Sequence, residues 1–84
     1  MEFIYPSSGS TLTFPPQLSG EAPGAVFRLA HRNPSTTIWW HLDGSYVGET
    51  TLIHDLRLAP EAGPHILTVV DEDGNSLSVR FSVR

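Results

Sequence analysis

The chain contains no cysteine and no lysine. Without cysteine, disulfides and thiolate metal sites are excluded. Without lysine, a Ser-x-x-Lys acylation motif, a Schiff base and a lysine general base are excluded as well. The five basic residues are arginines, Arg28, Arg32, Arg57, Arg80 and Arg84, scattered along a chain of net charge −4. Nucleic-acid binding draws on a basic stripe that displaces phosphate counterions, and this spacing offers none. No apolar run approaches the ~20 residues of a membrane span, so direct membrane insertion is not expected. The opening Met1-Glu2-Phe3-Ile4 has neither a basic n-region nor a long apolar h-region, and does not read as a signal peptide. There is no Gly-x-Ser-x-Gly elbow and no phosphate-binding glycine loop, and no segment carries a helix-length amphipathic pattern.

What remains is a pattern of short strands. A chain of 84 residues holds one domain, with a modest core. Apolar residues make up 39% and charged residues 17%, a globular balance rather than a disordered one. Residues 3–5 read as a strand ended by Pro6-Ser7-Ser8-Gly9. Residues 11–14 alternate and stop at Pro15-Pro16, with a loop running on to Gly24. Residues 25–31 place Ala25, Phe27 and Leu29 on one face. In residues 38–42, Ile38, Trp40 and Leu42 share the inward parity, and Trp39 and His41 take the other face. Asp43-Gly44 is a hairpin signal, with residues 45–48 returning. Residues 51–58 read as a strand with Leu52, His54, Leu56 and Leu58 on one parity, or alternatively as a short helical turn. Residues 65–71 and 76–83 pair through a turn, and Leu77, Val79, Phe81 and Val83 alternate strictly with polar neighbours. About seven strands in one domain predict an all-β, immunoglobulin-like antiparallel β-sandwich over residues 1–84. Its expected core includes Phe27, Leu29, Trp40, Leu42, Leu67, Val69, Val79 and Phe81.

The chemistry available to such a chain is thin. His31, His41, His54 and His65 form no metal-ligand spacing, and read as surface histidines beside turns. His41 and Asp43 could meet on one strand face, a spacing common by chance. The run from Asp71 to Asn75 resembles part of a calcium loop, but a strand follows where an EF-hand needs a helix, and a hairpin turn explains it better. No metal and no cofactor is expected. Trp40 has the parity of a core tryptophan. Trp39 has the outward parity, and with His41 and Tyr46 it marks a candidate interaction surface beside the Asp43-Gly44 turn. Two readings of Trp39 stay open: a contact for a partner, or a side chain covered by the chain's own loops or a neighbouring domain.

Several spacings taken together resemble the penicillin-binding protein C-terminal domain, the terminal module of bifunctional class A penicillin-binding proteins of the 1C type. They are Phe3-x-x-Pro6-x-x-Gly9, then Trp40-x-x-Asp43-Gly44 with Gly48, then Gly63-x-His65-x-Leu67-x-Val69-x-Asp71-x-x-Gly74, ending in Ser78-Val79-x-Phe81. The likeness runs from about residue 3 to 84. It implies a periplasmic, non-catalytic module, the C-terminal part of a larger protein anchored in the inner membrane, whose other domains polymerise and cross-link peptidoglycan. It further implies docking on the parent transpeptidase domain or another envelope protein, or alternatively binding of peptidoglycan glycan as a carbohydrate-binding module. Trp39 lies outside the family's pattern.

Overall fold

The computed structural model describes residues 1–14 and 24–84. The expected stop at Pro15-Pro16 and the loop that follows it as far as residue 23 lie outside the described residues. Eight strands are described: β1 (Glu2–Tyr5), β2 (Ser10–Leu12), β3 (Ala25–Ala30), β4 (Thr37–Leu42), β5 (Ser45–Thr51), β6 (Asp55–Leu58), β7 (Gly63–Val70) and β8 (Ser76–Val83). They form two sheets, ordered β1-β3-β6 and β2-β8-β7-β4-β5. This is the expected sandwich with one strand more than predicted. One pairing departs from the antiparallel rule, because β2 runs parallel to β8. The chain reaches β2 by crossing from one sheet to the other through Pro6–Gly9, where Gly9 N–H bonds Arg80 C=O at 2.8 Å.

Side-chain alternation decides which face of each strand is covered. Phe27, Ile38, Trp40, Leu67 and Val69 are wholly buried between the sheets, with Leu12, Leu29, Val79, Phe81 and Val83 close around them. Phe27 of one sheet meets Phe81 of the other edge-on at 5.4 Å. Of the expected core only Leu42 differs: it lies at the end of β4 and is half-buried.

The β4–β5 hairpin turns on Asp43 (φ 52°) and Gly44 (φ 84°), the two positive-φ residues that a twisted two-residue connection requires. Beyond it a bulge falls between the pairs His41–Tyr46 and Trp40–Gly48. Gly48 lacks a Cβ there for a reason, since one would come 3.2 Å from Leu56 Cδ1 on the facing sheet.

Strand β5 continues to Thr51 rather than ending at Gly48, and residues 51–58 split into a tight turn and β6. Leu52, expected inward, is exposed, and no helical turn forms. The turn is fixed by a buried polar relay. Trp40 Nε1–H donates to Thr50 Oγ1 at 2.9 Å, and Thr50 Oγ1 lies 2.9 Å from His54 Nδ1. His54 Nε2 lies 3.1 Å from the Pro34 carbonyl, which can only accept, so Nε2 carries the hydrogen. The Thr50 hydroxyl then donates to Nδ1, and every member of the relay has a partner. His54 is therefore a buried cross-link, not the surface histidine expected.

Candidate functional site

The outer face of the five-stranded sheet carries Trp39, His41 and Tyr46. Inward Trp40 forces its neighbours outward, and the β4–β5 register sets Trp39 opposite Glu49 and His41 opposite Tyr46. On the other side of β4, Trp39 faces Val70 and His41 faces Thr68. The His41 and Tyr46 rings meet edge-on, with centroids 5.8 Å apart and planes at 66°. Tyr46 O–H donates to Glu49 Oε1 at 3.2 Å. Partial desolvation and the nearby Glu49 carboxylate both raise the phenol pKa. Toward β8 the face becomes hydroxylic, with Thr68 Oγ1 2.8 Å from Ser78 Oγ, and then reaches the cross-strand pair Ile66 and Arg80. Strand β5 forms one edge of this sheet.

The structure places Trp39, His41 and Tyr46 on one face, where Trp39 is half-buried between its neighbours on β5 and β7 and Tyr46 is 56% exposed. A tryptophan flanked by strands on both sides is partly covered by its own sheet.

The remaining histidines are cross-links whose ring nitrogens are engaged. His31 Nδ1 accepts from Asn33 N–H at 2.9 Å, so Nε2 donates to Asp71 Oδ2 at 2.9 Å. Asp71 is buried at the start of the β7–β8 turn and also accepts from the N–H groups of Asp73 and Asn75 and from the Asn75 amide. The His31 hydrogen bond, followed by those from Asn75 and Asp73, outweighs desolvation and lowers its pKa to about 2. This carboxylate stitches its own turn together, which is why the calcium-like run forms a hairpin.

Asp43 does not meet His41. It bonds His65, with Oδ2 2.6 Å from Nδ1, while His65 Nε2 lies 2.6 Å from the Glu61 carbonyl. Asp43 Oδ1 also accepts from Ile66 N–H at 2.8 Å. Both ring nitrogens of His65 face acceptors, so the arrangement favours imidazolium. Partial burial opposes that charge, but the Glu61 and Asp43 hydrogen bonds prevail and raise the pKa of His65. The same contact, with the Ile66 amide, holds that of Asp43 below its ordinary value. An Asp–His pair suggests part of a catalytic relay, yet the second nitrogen points at a carbonyl rather than at a nucleophile, and no proton-accepting position is left. Among the described residues, no three His, Asp or Glu side chains converge to hold a metal ion.

Besides the His54 relay and the His31–Asp71 bond, two features escaped the sequence reading. The His65–Asp43 clamp joins residues 22 apart in sequence, and no local pattern announces it. The exposed pair Leu52-Ile53 was hidden in an alternation that mimicked a strand.

The whole sandwich is similar to the fibronectin(III)-like modules of Clostridium thermocellum CbhA, with a TM-score of 0.70 and 16% sequence identity over 99% of this chain and 94% of that one. At that identity the likeness establishes the fold. No curated protein sequence matches the chain. The family and the fold together point to a non-catalytic accessory module. The model of the Penicillin-Binding Protein C-terminus Family matches residues 1–81, nearly the whole sequence, and the chain belongs to that family.

Proposed function

We propose that this domain is the C-terminal docking module of a periplasmic, bifunctional peptidoglycan synthase, and that it binds protein through the outer face of β4 and β5. The observation that carries this reading is the His41–Tyr46 geometry. A sugar platform presents coplanar aromatic faces on which pyranose rings stack. Here the two rings cross at 66°, Trp39 is half-covered, and the face is a broad sheet surface beside a strand edge. Flat, mixed apolar and hydroxylic surfaces next to an edge strand suit a folded protein partner. The parent's transpeptidase domain is the nearest such partner, held at high effective concentration by the shared chain.

The test sets the domain against two ligands: the soluble transpeptidase domain of the parent, and purified peptidoglycan in a pelleting assay. Saturable binding to the transpeptidase domain without pelleting supports the proposal. Pelleting with glycan and no binding to the transpeptidase domain replaces it with a carbohydrate-binding module.

A further inference from the structure

The turn that follows β5 holds two bulky apolar side chains where folding has no use for them. Leu52 is 65% exposed and Ile53 75%, more than any other large hydrophobic side chain among the described residues. Leu52 has φ 70°, and Ile53 N–H closes onto Thr51 C=O at 2.9 Å. This is a γ-turn of the strained hand, a conformation that suits glycine rather than leucine.

The turn is nonetheless firmly held. Leu52 N–H donates to the Pro34 carbonyl at 2.9 Å, and His54, the next residue but one, donates to the same carbonyl at 3.1 Å. Through Thr50 that histidine is tied to the buried indole of Trp40. None of these bonds uses the Leu52 or Ile53 side chain. Glycine or a polar residue would serve the turn as well or better, so the turn itself does not call for their apolar character.

We propose that Leu52 and Ile53 form a rigid apolar knob that seats in a concave, basic-rimmed pocket on a folded protein partner. The proposal rests on the docking reading above and extends that surface from Tyr46 along β5 to its end, about 20 Å at 3.3 Å per residue. High exposure of both side chains makes the knob convex, which fits a pocket rather than a groove-filling ligand. Its rigidity means that little conformational freedom is lost on seating.

Charge decides between a protein and a lipid surface. The neighbouring loops are bonded to one another, Leu52 to Pro34 and Glu72 N–H to Thr36 Oγ1 at 3.3 Å. Their exposed charges are Glu72 and Asp73 against Arg32, with Glu49 further along β5. The chain carries net charge −4 and no lysine. An anionic bilayer would repel this end, whereas a basic rim around an apolar pocket complements it.

The test uses the full chain with Leu52→Gly and, separately, Ile53→Ser. The probes are the parent's transpeptidase domain and vesicles of phosphatidylethanolamine and phosphatidylglycerol. Both variants should keep the wild-type melting temperature to within about 3 °C, or exceed it, because no buried contact is lost. Their affinity for the transpeptidase domain should fall at least about tenfold, as for an interface anchor, and the vesicles should bind neither variant nor wild type. Wild-type affinity in both variants would overturn the knob and leave the docking reading standing. A wild-type chain that does not bind the transpeptidase domain would overturn the docking reading, and this extension with it. A large drop in melting temperature would make the pair structural, and vesicle binding lost in Ile53→Ser would make the knob a lipid anchor.

Discussion

Trp40 donates its indole N–H to Thr50 Oγ1 at 2.9 Å, so the largest side chain of the core carries a polar tether to the strand beside it. Thr50→Val keeps the shape and the β-branching but removes the hydroxyl. It leaves the indole N–H and His54 Nδ1 without their partner, at a cost of about 1–3 kcal/mol. Thr50→Ser keeps the hydroxyl and loses one methyl group, about 1 kcal/mol or less. Urea denaturation should rank the two in that order. Equal stability of Thr50→Val and wild type would mean that the relay contributes nothing.

Trp39 and Trp40 are neighbours in sequence with unequal burdens. Trp40→Ala should cost about 3–5 kcal/mol, which leaves little of a small domain's stability. Trp39 is half-buried, and Trp39→Ala should cost about 1–2 kcal/mol from the apolar area it covers. Equal losses in the two variants would make Trp39 a core residue and remove it from the docking face.

The pairing of Trp40 with the core was legible because period-two alternation needs only local sequence. The same holds for β8, where Leu77, Val79, Phe81 and Val83 alternate without a break. The Asp43-Gly44 turn was legible for the same reason. The end of β5 was not, because Glu49, Thr50 and Thr51 carry no apolar alternation and Thr50 is held by hydrogen bonds to Trp40 and His54. The inward parity of Leu52 failed because a γ-turn at that residue resets the phase. His31 and His54 were misread because what holds them lies far along the chain, Asp71 being 40 residues from His31 and Pro34 being 20 residues from His54. Of the site, parity supplied the face, and only the register could show that Glu49 and Val70 flank Trp39.

The His65–Asp43 clamp makes part of the stability depend on pH. The pKa of His65 is raised above its ordinary 6.5. Its contribution is therefore complete below about pH 6.5 and is lost as pH rises through the folded-state value. The effect should be modest, since the Asp43 side chain is 47% exposed and solvent screens the pair. Asp71 behaves oppositely. With its pKa lowered from 3.8 to about 2, its contribution is complete above pH 3.8 and is lost between there and about pH 2. Melting temperatures followed from acid to mildly alkaline pH should fall on both sides; His65→Ala should flatten the alkaline limb and, by freeing Asp43, take a small part from the acid limb while the Asp71 share remains. An alkaline limb unchanged in His65→Ala would contradict the assignment.

The most direct test of the proposed docking face is the affinity of Tyr46→Ala for the transpeptidase domain of the proposed parent, measured by calorimetry beside wild type. Tyr46 is 56% exposed, and its loss breaks surface contacts to His41 and Glu49, so the fold should be kept. A docking residue of this kind contributes about 2 kcal/mol or more, so the variant should bind about 30-fold more weakly at an unchanged melting temperature. Equal affinity of Tyr46→Ala and wild type would contradict the assignment of the β4–β5 outer face as the surface that this domain uses.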